Sequence, residues 1–127
     1  MPTSKQVVVV RKDLKLRRAE VASYVARASS SFLLNNIGDD TPQQVPLSQE
    51  EAEWLCGGRK VIVLGVQTED ALRRVVDLAE IQGLTVSMLT KSTMDDKSGF
   101  DGTAVCAAIG PHDEESIDAV TGGLKLM

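Results

Sequence analysis

A run of basic residues early in the chain is the first feature of this sequence that could do chemistry. It contains Arg11, Lys12, Lys15, Arg17 and Arg18. Residues 1–36 hold seven lysines and arginines against two acids, a net charge of +5, whereas residues 37–127 carry −9. Arginine side chains and the free N–H groups of a helix start both suit an anion, so this segment is predicted to bind phosphate. The alternative is that Asp13, Glu20 and the acidic remainder of the chain neutralise these cations.

A second set of polar side chains follows the basic run at helical spacing. Glu20, Tyr24, Arg27 and Ser31 recur every three or four residues, so they share one face of a helix. A carboxylate and a guanidinium on such a face can orient water or hold a phosphate. The alternative is an ordinary solvated helix face, because an exposed ion pair contributes only about 0–1 kcal/mol.

The other reactive side chains predict no metal site, and no cofactor is expected. Cys56, Cys106 and the single His112 are too few for a structural zinc site, and both cysteines are predicted to be buried thiols. His112 stands beside Asp113, as a general base would, but no nucleophile lies near it in the sequence. It is therefore predicted to be a turn residue before the last helix.

The elements that must position these residues follow from hydrophobic spacing. The β-branched run 7–10 is apolar on both faces, which is typical of a central strand covered by helices above and below. A buried stripe at helical spacing predicts a helix over residues 18–34, and its members are Val21, Val25, Ala28 and Phe32. Ser48 and Glu51 form a capping box that begins a short second helix.

The rest of the chain predicts strands over 60–66, 84–89 and 103–109, with helices capped at Thr68 and begun at Asp113. Gly110–Pro111 is predicted to end the last strand. The order is β-α-α-β-α-β-β-α in a single domain over residues 1–127. Because no helix separates the last two strands, we predict a three-layer α/β/α fold with a mixed four-stranded sheet. The polar loop over residues 90–102 is long enough to be functional.

Composition excludes several classes of protein. Hydrophobic residues at 43% and charged residues at 25% are typical of globular domains, and aromatics at 3% are too few for a base-stacking platform. No apolar run reaches 18 residues, and the first residues lack the layout of a signal peptide. The expectation is a cytoplasmic protein with no membrane partner.

The sequence resembles the type 2 peptidyl-tRNA hydrolases in matching order along nearly the whole chain. The resemblance rests on VVVVRKDLKL at 7–16, AAIGP at 107–111 and DAVTGGLKL at 118–126. In that family R-x-D-L-x-M follows the first strand, and chains end close to D-x-V-T-G-x-L-K-L-L. The resemblance implies a small cytoplasmic α/β protein, commonly a homodimer, that cleaves the ester between a peptide and the 3′ end of tRNA without a cofactor. Apolar residues near the end of the chain agree with a homodimer, namely Leu124, Leu126 and Met127.

The family's active-site positions are substituted in this sequence. In the family, G-K-G-K-x-A-A-Q-x-x-H-A follows the first strand, with the second lysine, the glutamine and the histidine at or near the active site. By this resemblance the matching residues are Glu20, Tyr24 and Arg27. The family's D-A-G-R-T-Q-I motif supplies an Asp and a Thr, but residues 90–102 do not match it. The nearest loop candidates are Thr93, Asp95 and Asp96.

Two functions are therefore predicted side by side. The first is a peptidyl-tRNA hydrolase in which Glu20 or a loop side chain orients water and Arg27 or a backbone N–H stabilises the oxyanion, while residues 11–18 hold tRNA or another anionic ligand. The second is a non-catalytic binding or regulatory protein that keeps the fold. Loss of a single electrostatic group lowers an enzyme's rate by about 10²–10³, so the substitutions leave open whether the chain is an enzyme.

Overall fold

The structure, a computed structural model, describes residues 4–37, 47–90 and 103–127. Its helices and strands in chain order are β1 (Ser4–Arg11), α1 (Arg18–Ile37), α2 (Gln49–Cys56), β2 (Val61–Val66), α3 (Glu69–Ile81), β3 (Val86–Thr90), β4 (Ala104–Asp113), α4 (Glu114–Thr121) and β5 (Lys125–Leu126).

The strands form one mixed sheet in the order β3-β4-β1-β2-β5. β1 pairs in parallel with β2 and antiparallel with β4, while β3–β4 and β2–β5 are antiparallel. The strand over Val7–Val10 is therefore central, and its four valines are at most 1% exposed. This confirms the prediction from the β-branched run, because a strand that is apolar on both faces can be accommodated only between two helical layers.

Two cores lie on opposite faces of the sheet. Val7 and Val9 point into one core, which α3 and α4 cover with residues such as Leu72 and Ile117. Val8 and Val10 point into the other, which α1 covers. On that same side, Phe32 of α1 meets Trp54 of α2 edge to face, with ring centroids 5.9 Å apart. The α/β/α layering is the predicted one.

Capping residues begin the short helices where the sequence predicts. The Ser48 hydroxyl accepts from the Glu51 backbone N–H, and the Glu51 carboxylate accepts from the Ser48 backbone N–H. Thr68 caps α3 by accepting from the Ala71 backbone N–H at 3.1 Å. Each cap satisfies an N–H group that the helix itself leaves unpaired.

Two predictions about the sheet are wrong. The sheet has five strands, because Lys125–Leu126 pairs with β2, and a two-residue strand is too short to show any periodicity in the sequence. β4 also does not end at Gly110–Pro111 but continues to Asp113, with His112 opposite Lys5. The ladder with β1 tolerates the interruption through an irregularity between Lys5 and Val7.

None of the helices in the described ranges is long and apolar enough to cross a membrane.

Candidate functional site

Arg11, the last residue of β1, joins three elements at one end of the sheet. Its guanidinium binds both carboxylate oxygens of Asp13, with Nε–Oδ1 and Nη2–Oδ2 distances of 3.0 and 2.7 Å. Its Nη1 donates to the backbone carbonyl of Ala104, the first residue of β4, at 2.9 Å. The fork geometry gives two charge-assisted hydrogen bonds, which raise the pKa of Arg11 and lower that of Asp13.

Glu69 completes this cluster from the start of α3. Its carboxylate accepts from the Ala104 backbone N–H at 3.0 Å and from Arg73 at 2.9 Å, and it lies 4.0 Å from Arg11. The Ala104 N–H, followed by Arg73, holds the pKa of Glu69 below its usual value. Both backbone polar groups of Ala104 are thus bound by side chains, at the point where β4 extends beyond the paired part of β1.

These contacts correct the prediction that Arg11 belongs to the phosphate-binding surface. Arg11 is only 8% exposed, and its donors are used by Asp13 and Ala104. The reason is electrostatic, since a guanidinium at the end of a buried strand must be paired where it lies. Among the described residues, carboxylates neutralise Arg11 through salt bridges and form none with the other four cations.

The other four cations of the basic run are called the basic corner below, and they remain candidates for binding phosphate. Lys12 is half-buried, whereas Lys15, Arg17 and Arg18 are exposed. Lys15 adopts φ +52°, and its N–H donates to the Lys12 carbonyl, so the chain turns here before α1 begins. Within the described ranges no carboxylate forms a salt bridge with any of the four.

Glu20 and Arg27 lie on the exposed surface of α1. The Glu20 carboxylate accepts from the Arg17 backbone N–H at 3.0 Å, so it caps the helix from the third position. Arg27 offers its carbonyl to the hydroxyls of Ser30 and Ser31. Two helical turns separate Glu20 from Arg27, about 10 Å along the axis, so a substrate group would have to lie between their side chains.

Tyr24 does not share the exposed face with these two residues, so its predicted placement is wrong. It is 8% exposed and belongs to the core that contains Val8 and Val10. The buried stripe of α1 is centred on Tyr24, Ala28 and Phe32, and Val21 is only partly buried. Ala28 and Phe32 of the predicted stripe are therefore confirmed as buried, whereas Tyr24 is buried and Val21 and Val25 are only partly so.

The remaining sequence candidates are three loop residues and His112. Thr93, Asp95 and Asp96 lie outside the described residues. His112 places its Nδ1 2.6 Å from Asp113, whose carboxylate also accepts from the backbone and hydroxyl of Ser116. The Ser116 N–H is the main cause of the lowered pKa of Asp113. These contacts make Asp113 a helix cap, but His112 itself lies in β4 opposite Lys5, so the turn predicted at His112 is wrong.

The cysteines differ from each other. Cys106 is buried in β4, where desolvation raises its pKa to about 12 and keeps the thiol protonated and unreactive. Cys56 is exposed at the end of α2, contrary to the prediction, because Trp54 occupies the buried side of that helix. In the part of the chain that the structure describes, no three His, Cys, Asp or Glu side chains are grouped as metal ligands.

Sequence reasoning missed two residues of this region. Nothing in the sequence connects Glu69 to Ala104, 35 positions away. Lys125 joins the basic corner because β5 pairs it with Gly65 of β2. In the sequence, Lys125 stands out only as part of the family motif at residues 118–126.

Comparison with known proteins identifies the family to which this chain is similar. The profile described as "Peptidyl-tRNA hydrolase PTH2" matches residues 4–127. The chain belongs to this family. A peptidyl-tRNA hydrolase of Methanopyrus kandleri is 37% identical over 123 residues, 97% of each chain. One from Haloquadratum walsbyi is 34% identical over 122 residues, 96% of this chain and 98% of its own.

A solved structure extends the agreement to the architecture. An Agrobacterium protein of unknown function superposes with a TM-score of 0.64 at 20% identity, covering 100% of this chain and 99% of its own. At that identity the likeness concerns the fold alone. In this member of the PTH2 family, Arg11 and Asp13 form the bidentate pair described above.

The lowered pKa of Glu69 gives a stability that depends on pH. The free energy it contributes is present above its ordinary pKa of 4.5 and is lost as the pH falls through the lower folded value. We expect Glu69→Gln to lower the urea midpoint at pH 7 and to flatten the decline of that midpoint as the pH falls below about 4.5. Glu80→Gln, an exposed substitution on the same helix, should leave both unchanged. Equal acid profiles for wild type and Glu69→Gln would contradict this role.

Proposed function

We propose that this chain hydrolyses the ester that joins a peptide to the 3′ end of tRNA. The observation that carries the proposal is membership of the PTH2 family across residues 4–127. The exposed cations at the start of α1 add a physical reason, because phosphate groups need unpaired lysines and arginines. Such a reaction belongs to the cytoplasm, as the sequence predicts.

In this reaction a water oxygen bonds to the ester carbonyl carbon and the bond to the tRNA 3′ oxygen breaks. Glu20 accepts a proton from that water, and the proton then passes to the leaving 3′ oxygen. Only one Glu20 oxygen is used in capping α1, and within the described ranges the other accepts no hydrogen bond. Arg27, two turns further along, carries the positive charge that the tetrahedral oxyanion needs. Thr93, Asp95 and Asp96 remain proposed contributors from the loop.

One observation favours the second reading, a binding protein without catalysis. Of the three aligned active-site positions, Glu20 caps α1 and Tyr24 is buried in the core. Side chains with such structural contacts have a reason to be present that does not involve a substrate. A turnover assay on purified protein with peptidyl-tRNA decides between the readings.

Glu20→Gln separates capping from catalysis. Glutamine preserves the helix cap, because its amide oxygen can still accept from the Arg17 N–H, but it cannot accept a proton. We expect kcat to fall by about 10²–10⁴ while the thermal midpoint stays within a degree or two of wild type. Glu80→Gln is the matched control and should keep full activity. An unchanged kcat in Glu20→Gln would exclude Glu20 as the base. A wild-type protein without turnover would instead support the second function, a binding protein without catalysis.

The basic corner is tested by the salt dependence of tRNA binding. Replacing Arg17 and Arg18 together by Ala should weaken binding and reduce the slope of log K against log salt by roughly 1 to 2, because each phosphate contact contributes about 0.7–0.9. Arg74→Ala removes an exposed arginine from α3 and should not change the slope. A wild-type slope in the double variant, or no binding of tRNA at low salt, contradicts this surface.

We also propose a homodimer formed through the exposed end of the sheet. Leu126 of β5 is 71% exposed and Met127 is 44% exposed, and a second copy would remove this apolar surface from water. Sedimentation at tens of micromolar should give twice 13.6 kDa for wild type and 13.6 kDa for Leu126→Lys. Leu78→Lys, at a residue 49% exposed on α3, should stay dimeric. A monomeric wild type would refute the dimer.

A further inference from the structure

An open apolar groove of about 410 Å³ lies between the start of α1 and β2. Its lining is apolar apart from one arginine and consists of Leu16, Arg18, Val21, Ala22, Val25, Val63 and Met127. At 100° per residue, the groove-lining residues of α1 point about 140° away from Glu20 and Arg27. The groove and the proposed catalytic residues therefore lie on opposite flanks of the same helix.

Two lysines stand at the β2 end of this groove. Gly65 lies two residues after Val63, on the same face of β2. The Lys12 stem occupies the space above Gly65, since a Cβ added there would overlap Lys12 Cε. Lys125 pairs with Gly65, and opposite residues of an antiparallel pair project on the same face. Because Gly65 has no side chain, the Lys12 side chain can lie beside Val63, which forms the apolar floor of the groove.

The charge of this groove is not compensated within the described part of the chain. The salt bridges found there involve Lys5, Arg11, Lys60, Arg73 and His112. None involves Lys12, Arg18 or Lys125. Arg18 thus lines an apolar floor, and Lys12 and Lys125 lie beside it at Gly65, with no salt bridge to any of the three in the described part of the chain. Such an arrangement is complementary to an anion that carries an apolar body.

We propose that the groove binds a small amphiphilic carboxylate, with its apolar chain on the floor and its carboxylate between Lys12, Lys125 and Arg18. A nucleobase fits less well, because the floor offers no acceptors or donors for the polar edge of a base. Of the two residues proposed for the dimer, Leu126 pairs with Leu64 and so faces the other side of the sheet, whereas Met127 lines the groove. The proposal does not depend on whether the chain cleaves peptidyl-tRNA.

Two sources share this ligand chemistry, a fatty acid and the C-terminal residue of a peptide with an apolar side chain. Titration calorimetry with octanoate and with N-acetyl-L-leucine distinguishes them, and 1-octanol tests the need for charge. We expect saturable binding of at least one carboxylate and at least tenfold weaker binding of 1-octanol. The tighter of the two carboxylates identifies the source. No saturation by either at about 10 mM, or equal binding of the alcohol, would overturn the proposal.

Matched variants locate the binding. Ala22→Phe fills the groove and should weaken carboxylate binding at least tenfold, whereas Ala119→Phe, at an exposed alanine of α4 across the sheet, should not. Lys12→Gln and Lys125→Gln should each weaken binding about three- to tenfold, with Arg74→Gln as the charge control. Equal affinities in Ala22→Phe and Ala119→Phe would place the ligand elsewhere. Loss of the dimer in Ala22→Phe without any carboxylate binding to wild type would make a second copy the occupant and refute the proposal.

Discussion

The complete burial of β1 is the constraint on which the rest of the molecule depends. From Gln6 to Val10 the strand is at most 1% exposed, so its polar groups must all be satisfied inside the protein. Gln6 meets this requirement by donating to the Ser29 carbonyl and accepting from the Ser29 hydroxyl. Leaving one such group unpaired costs about 1–3 kcal/mol, so the pair with Ser29 fixes the position of α1 on the sheet.

The same need to pair buried polar groups acts at the other end of β1. There it determines which cations are held inside the protein and which are exposed to a ligand. Arg11 is held by Asp13 and by the Ala104 carbonyl, which ties the end of β1 to the start of β4. The cations that follow leave the buried layer and remain unpaired among the described residues. Because α1 is anchored by Ser29 and packed through Ala28 and Phe32, its two flanks are both open. One carries Glu20 and Arg27, and the other forms the wall of the apolar groove.

The features that could be predicted from the sequence depend on neighbouring residues. The buried valine strand, the Ser48–Glu51 capping box and the Thr68 cap each need only a few adjacent positions. The burial of Arg11 depends on Ala104, which lies 93 positions away, and no local pattern encodes that contact. Tyr24 was predicted on the exposed face of α1 but lies in the core, because residues beside a buried stripe can fall on either side of its boundary. β5 was missed because its pairing with β2, and not its own sequence, makes it a strand.

The carboxylate at position 20 determines the type of chemistry that the helix can support under the proposed mechanism. By the family resemblance Glu20 stands where other members carry a lysine, so a group able to stabilise negative charge would be replaced by one that repels it. A carboxylate at that position cannot support an oxyanion, but it can accept a proton from water. The proposed mechanism therefore needs a positive charge from elsewhere opposite the oxyanion, and it assigns this role to Arg27, which the family resemblance aligns with a histidine. Proton acceptance and charge stabilisation would thus be divided between two residues about 10 Å apart on one helix. That division requires the ester carbonyl to lie across α1 between them, which is a stricter demand on substrate position than a single central cation would impose.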